Sequence, residues 1–480
     1  MKTLAINPNP SLSRRGFLTG AAIVAGSAWA PVISRAGETK PENRVVELQS
    51  AEPWAPHRKA APVTEKRGDG FAVDANGTRT CSGGWQWRYD GVAPGQTYEI
   101  ATEVSHEGIA VPRDALKCVA IWGAPKPNQE RPDAIWDYLL PKAAEAGRVR
   151  FSRRIVAPED ASQLTVRCAL RWTATGKTLW QPPRVCVAKA PLVKRPPVRI
   201  CIVTGHAHAR RGPFKTLGDN IKFYGNLCEA ACKKLHPRLI VLPEIALQWG
   251  VPGNALDLAV PVPGPETDAF AAIARQHRVR IVVGLYEREG DAVRNSAVLI
   301  GPDGKVDGRY WKVHLADGGE DVSGILPGDS FPVFETEVGR IGCNICMDTS
   351  AAESSRMVGL NGADFLLMPI MGDHRADRWS RGTPIFNDDR WRAIMRTHAM
   401  DNQLCMVVAR NNAQGSCIVD RKGDLLAWND GDRDFIAADV ALDDGYRIWQ
   451  GGCFRDVNWM QRRPHLYGAF IDPANVGSLK

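Results

Sequence analysis

A glutamate, a lysine and a cysteine stand in that order near the ends of three strand-like runs. Glu244 closes Arg238-Leu-Ile-Val-Leu-Pro-Glu244, Lys312 follows Arg309-Tyr-Trp, and Cys346 closes Gly339-Arg-Ile-Gly-Cys-Asn-Ile-Cys346. A thiol of ordinary pKa is mostly protonated at neutral pH, so a cysteine nucleophile needs a base, a cation or a helix N-terminus beside it. Glu244 can serve as the general base. Lys312 can hold the oxyanion that forms when sulfur attacks a carbonyl, a donor that typically contributes about 10² to 10³ in rate. Ser350–Asn361 reads as a helix closed by Gly362, which sets Cys346 at a strand-to-helix turn near a positive dipole end. The Met347 N–H is then the second oxyanion donor. Strand ends are where loops build sites, so the three residues together suit cleavage of a bond between carbonyl carbon and nitrogen.

These residues carry a family resemblance. From about Pro197 to the C-terminus the chain resembles the nitrilase superfamily of carbon-nitrogen hydrolases. Leu242-Pro243-Glu244 is similar to that family's base motif, and Trp311-Lys312-Val-His-Leu315 to its lysine motif. Gly342-Cys-Asn-Ile-Cys346-Met-Asp348, followed by Glu353 and Arg356, resembles its nucleophile motif. Glu320, eight residues beyond Lys312 and ahead of Pro327-Gly328, falls where the family carries a second glutamate that positions substrate. Ala363–Pro369, His398–Asn402 and Gly415–Asp420 resemble the framework that follows the nucleophile. Two positions depart from the pattern: Met347 stands where many relatives have an aromatic residue, and Asp401 replaces a glutamate. Cys346-Met347-Asp348 is closer to the amidase and carbamoyl-hydrolase branches than to the Cys-Trp-Glu of nitrile hydrolases.

The resemblance implies an α/β fold, a four-layer α-β-β-α sandwich, assembled as a homo-oligomer through helices near the nucleophile. It also implies a small amide or carbamoyl substrate, a thioester acyl-enzyme, and no metal or organic cofactor. Nitrile hydrolysis and acyl transfer to an amine are alternatives for the same three residues. A non-catalytic glycan-binding protein on a hydrolase fold is the rival from another class. The long connection Gly372–Phe386 shapes the pocket in this reading, and Arg375 or Arg378 could pair with a substrate carboxylate or form a solvated basic loop.

The elements that must position these residues are legible from periodicity. Leu217, Ile221, Tyr224, Cys228, Ala231 and Leu235 recur at helical spacing ahead of Arg238–Leu242. Strands are expected at Val198–Thr204, Arg280–Leu285 and Asn295–Ile300, which makes a mixed sheet covered by helices. Residues 198–480 form the expected hydrolase domain, joined through a stiff linker at 190–197.

Before the linker, 70–189 shows short strand-like runs separated by turns, the pattern of an all-β sandwich. Gly84-Trp85 with Val92–Tyr98 resembles the opening of carbohydrate-binding-type modules. Trp85, Trp87, Trp122, Trp136, Trp172 and Trp180 are therefore either sugar-stacking or core residues. Cys81, Cys118, Cys168 and Cys186 fall in the same region and could pair. Residues 37–69 read as an extended arm.

Ser13-Arg14-Arg15-Gly16-Phe17-Leu18-Thr19, an apolar run to Ile33 and Ser34-Arg35-Ala36 resemble a twin-arginine export signal over residues 1–36. That predicts a periplasmic or extracellular protein. Removing the segment's four cations lowers the net charge from +8 to +4, too mild to imply nucleic acid. Two metal readings compete with the thiol chemistry. Cys343-x-x-Cys346 sits in an extended strand rather than the turn a zinc knuckle needs, and the remaining histidines do not assemble with His206-Ala-His208 into the histidine, aspartate and eight-stranded set of a metal-dependent barrel.

Overall fold

Alternating burial runs along the strand Thr97–Glu107, where Tyr98, Ile100, Thr102 and Val104 are buried and Glu99 and Glu103 face solvent. The computed structural model describes residues 44–123, 135–144, 147–159, 161–192, 195–205, 214–372, 376, 385–442 and 452–471. The export-signal segment 1–36, the histidines His206 and His208, and the arginines Arg375 and Arg378 lie outside the described residues.

Thr97–Glu107 is central to a seven-stranded sheet ordered Val63–Arg67, Gly70–Asp74, Lys177–Trp180, Thr97–Glu107, Arg148–Val156, Leu140–Ala143, with Arg184–Val187 also pairing the central strand. A five-stranded antiparallel sheet is ordered Leu48–Trp54, Ser82–Asp90, Gln163–Arg171, Leu116–Trp122, Ile135–Tyr138. Side chains from both sheets, among them Trp87, Leu164 and Val166 from one and Tyr98, Phe151 and Trp180 from the other, share a single core. Each such large apolar side chain contributes about 1.5–3 kcal/mol on burial.

Two features differ from the reading of the sequence. Leu48–Trp54 and Val63–Arg67 lie in the stretch expected to be an arm, yet each supplies an edge strand. Edge strands bury little, and prolines at 53, 56 and 62 interrupt the alternation, so composition hid them. Of the six tryptophans, Trp85, Trp87, Trp122 and Trp180 are buried, while Trp172 is 50% exposed. Cys118 and Cys168 face each other in register with sulfurs 3.4 Å apart, both as thiols.

In the second half, the helix Leu217–Leu235 starts at a capping box in which Thr216 and Asp219 satisfy each other's backbone N–H. It carries the chain from Val198–Val203 to the parallel neighbour Leu239–Val241. That short strand is apolar throughout because both of its faces are covered. Ile240 joins the core under Leu217–Leu235 and Pro265–His277, while Leu239 and Val241 join a core between two sheets. The first sheet is ordered Val306–Trp311, Ala292–Ile300, Arg280–Glu289, Leu239–Val241, Val198–Val203, Phe435–Val440. The second is ordered Val333–Thr336, Gly339–Cys343, Phe365–Ile370, Cys405–Arg410, Cys417–Val419, Leu425–Trp428. Its outer face packs on Ala352–Leu360 and Asp388–Asn402 through Val358, Leu366, Met368, Trp391 and Met395. The layering is helices, sheet, sheet, helices.

The C-terminal helix Phe454–Gln461 returns to the antiparallel sheets. Val457 and Met460 cover Val119, Ile121 and Tyr138, and Asp456 pairs with Arg153. Arg113 donates to the Arg462 and Trp459 carbonyls at 2.6 and 3.1 Å.

Candidate active site

Three chain segments leave the facing sheets at one end and place Glu244, Lys312 and Cys346 on a shared cavity of about 340 Å³. Glu320, Tyr286, Asn254, Ser323, Ile325 and Met371 line it as well. Glu244 follows Leu239–Val241, Lys312 follows Val306–Trp311, and Cys346 opens a 3₁₀ turn Cys346–Ser350 three residues after Cys343, the end of Gly339–Cys343. The expected helix over 350–361 begins at Ala352, because this tighter turn comes first.

Cys346 has φ +43°, a left-handed conformation costing about 1–3 kcal/mol in a non-glycine residue. Asp348 is the anchor that holds the turn. Fully buried, it accepts from the Ile345 N–H at 2.8 Å, the Tyr310 hydroxyl at 2.6 Å and the His314 N–H at 2.9 Å, and it pairs with His314 Nδ1 at 2.8 Å. That hydrogen bond raises the His314 pKa. The His314 side chain ties the lysine's segment to the Cys346 turn, through a carboxylate five residues beyond the end of Gly339–Cys343.

Lys312 is buried between two acids. Its Nζ donates to Glu244 Oε1 at 2.8 Å and to Glu320 Oε2 at 2.6 Å. Burial alone would lower its pKa, but Glu244, Cys346 and Glu320 overcome that and raise it, so the ammonium is fixed. Asn295 Nδ2 bridges the same acids, at 2.9 Å to Glu244 and 2.6 Å to Glu320. The remaining Glu244 oxygen accepts from the Met371 N–H at 2.9 Å, and its backbone carbonyl accepts from Asn411 at 2.7 Å. Glu320 also accepts from the Ala316 N–H at 2.9 Å.

The thiol is held differently. Cys346 Sγ lies 3.5 Å from the Gly372 carbonyl oxygen. Burial pushes its pKa up to about 12, Glu244 adds to that, and Lys312 offsets part of it. Burial therefore disfavours a preformed thiolate, and an attack by this sulfur would need a base that takes the proton as the sulfur bonds. The Met347 N–H follows in the same turn, on the residue beyond the sulfur.

Asn295, Asn411 and the Met371 N–H were not singled out in the sequence. Asn295 lies within a strand whose other residues are mostly apolar, and a buried polar side chain there is the signal that could have found it. Gly284 is another. A Cβ at this position would stand 2.1 Å from the Pro243 carbonyl oxygen and 3.0 Å from the Glu244 Cα. Gly284→Ala is expected to push Glu244 off Lys312, destabilising the fold by about 1–3 kcal/mol and lowering turnover at least 10-fold, about what loss of a single positioned group gives. Thermal unfolding and kcat measured together check this, and unchanged kcat would rule out the close approach as a positioning device.

A family model described as carbon-nitrogen hydrolase matches residues 215–448. The N-carbamoylputrescine amidase of Oryza sativa subsp. japonica is 30% identical over 279 residues, 53% of this chain and 89% of that protein. The citrullinase of Francisella tularensis subsp. tularensis is 29% identical over 228 residues, 43% of this chain and 75% of that protein. A nitrilase of Pyrococcus abyssi is 36% identical over 137 residues, 28% of this chain and 51% of that protein. The chain belongs to the carbon-nitrogen hydrolase family and is an enzyme acting on carbon-nitrogen bonds other than peptide bonds.

Proposed function

We propose that this chain is an exported hydrolase of N-carbamoyl compounds and small amides, with Glu244, Lys312 and Cys346 as its catalytic residues. The observation that carries the reading is the single cavity on which a half-buried thiol, a fixed ammonium and a carboxylate meet. Glu244 takes the thiol proton while Cys346 attacks the carbonyl carbon. Lys312 and the Met347 N–H stabilise the tetrahedral oxyanion. The nitrogen leaves as ammonia or an amine with the proton from Glu244, and a thioester remains. Water, losing a proton to the same carboxylate, attacks the thioester and releases the acid and the thiol. Glu320 and Asn295 hold Glu244 and Lys312 in register throughout.

The citrullinase and N-carbamoylputrescine amidase similarities favour a ureido or carbamoyl group over a nitrile. Export is supported by the Arg14-Arg15 segment. The test is ammonia release by the mature chain from N-carbamoyl amines, N-carbamoyl amino acids, aliphatic amides and nitriles. Carbamoyl or amide turnover is expected. Turnover confined to nitriles would reverse the substrate assignment. Full-length protein carrying Arg14→Lys and Arg15→Lys together is expected to stay in the cytoplasmic fraction; unaltered export would remove the twin-arginine reading.

A further inference from the structure

Far along the chain from the catalytic residues, a cleft of about 140 Å³ opens on the antiparallel sheets, lined by Trp54, Ser82, Lys117, Val119, Arg167, Ala169, Arg171 and Trp172. Its charge arises from strand alternation. Arg167, Ala169 and Arg171 share one face of Gln163–Arg171, and Lys117 is the register partner of Ala169 on the next strand. Three cations thus converge around a small residue that leaves the floor open.

Each cation is fixed by a neutral group. Arg167 lies 3.9 Å over the Trp54 ring and donates to the Gln86 amide oxygen at 3.0 and 3.3 Å. Arg171 lies 3.8 Å over the Trp172 ring and donates to the Asp114 carbonyl at 3.1 Å. The Lys117 ammonium sits 5.2 Å from the Tyr138 ring centre and 5.6 Å from that of Trp136. None of the three makes an ion pair among the described residues. The nearby Asp114 carboxylate is shared by Arg463 at 3.3 Å, His465 at 3.6 Å and Arg113 at 3.9 Å. Burial, with Arg171 and Arg167 alongside, pulls the Lys117 pKa down to about 8. A partly buried cation beside two others is unfavourable for folding alone, and an oxyanion removes that penalty.

We propose that this cleft is a binding site for an anionic saccharide, its carboxylate or sulfate group held by Lys117, Arg167 and Arg171. The guanidinium groups, over the Trp54 and Trp172 rings, keep further N–H donors for the oxyanion. Trp172, half exposed at the rim, offers apolar surface to the sugar ring. Of the six tryptophans considered from sequence for sugar stacking, this one lines the cleft. Trp54, from the edge strand Leu48–Trp54, is the other wall.

The test is calorimetry on the full mature chain with oligogalacturonate, a sulfated oligosaccharide, a neutral xylo-oligosaccharide and inorganic sulfate. At least one anionic oligosaccharide is expected to bind, and the preferred one identifies the carboxylate or sulfate source. Lys117→Met is expected to weaken it about 10-fold or more, the effect of one charged hydrogen bond, and to raise the melting temperature. Lys117→Arg retains binding. Trp172→Ala, at an exposed position, separates loss of ligand from loss of fold and is expected to weaken the saccharide but not inorganic sulfate. Amide turnover stays unchanged in all three variants. Binding of the neutral oligosaccharide as tightly, equal affinity for inorganic sulfate, or full affinity in Lys117→Met would overturn the proposal.

Discussion

Cys346→Ala is expected to lower turnover by about 10⁴-fold or more, the scale of losing a nucleophile that forms the covalent intermediate. The fold should hardly change. The side chain is partly buried, and its sulfur makes a long contact of 3.5 Å to the Gly372 carbonyl, so removing it costs at most about 1 kcal/mol. The groups that hold the turn are elsewhere: Asp348, Tyr310, His314 and the Ile345 N–H. Single-turnover kinetics with a carbamoyl substrate, beside a melting curve, separate the two effects. A variant that melts normally and retains its turnover would end the thioester mechanism, whatever the substrate.

Glu244 and Cys346 were visible in sequence because each stands just past a buried strand, which leaves a strong signal, whereas Lys312 follows the mixed, half-exposed run Val306–Trp311 and stood out through the motif Trp311-Lys312-Val-His-Leu315. The layering came from the family resemblance, since periodicity alone implied only a mixed sheet covered by helices. What supports the three residues was not visible. Asn295 bridges two acids only because Ala292–Ile300 pairs with Val306–Trp311, bringing Asn295 beside a lysine 17 positions away. Gly284 matters because the chain turns past it at Pro243, a contact that no local pattern encodes. The export segment, Arg375 and Arg378 lie outside the described residues, so their expected roles rest on sequence. The edge strands at Leu48–Trp54 and Val63–Arg67 were obscured by prolines and by exposure. The cationic cleft was hidden because its members come from separate strands: Lys117 and Arg171 meet only through the register that pairs Lys117 with Ala169.

The second large effect tests the base directly, because it moves two properties of one thiol in opposite directions. Glu244→Gln keeps the shape of the side chain and an oxygen able to accept from Lys312 and Asn295, but removes the proton acceptor. Turnover should fall by about 10³-fold, within the usual range for a general base. Alkylation of Cys346 should nevertheless extend to lower pH. A neighbouring negative charge disfavours the thiolate, so Glu244 raises the thiol pKa, whereas Lys312 lowers it. With the carboxylate neutralised, the lysine's influence is no longer opposed, and more thiolate is present at any given pH. The midpoint should stay above that of an ordinary cysteine, because burial, the largest cause of the shift from about 9 to about 12, remains. Iodoacetamide labelling rates at matched pH between 7 and 11, read at the Cys346 peptide by mass spectrometry, follow the thiolate fraction and measure this; the other eleven cysteines are buried. Labelling of Glu244→Gln no faster than that of the parent at the same pH would mean that the carboxylate does not act on the sulfur. The base would then have to be sought among the other groups lining the cavity, with Glu320 first because it also pairs with Lys312.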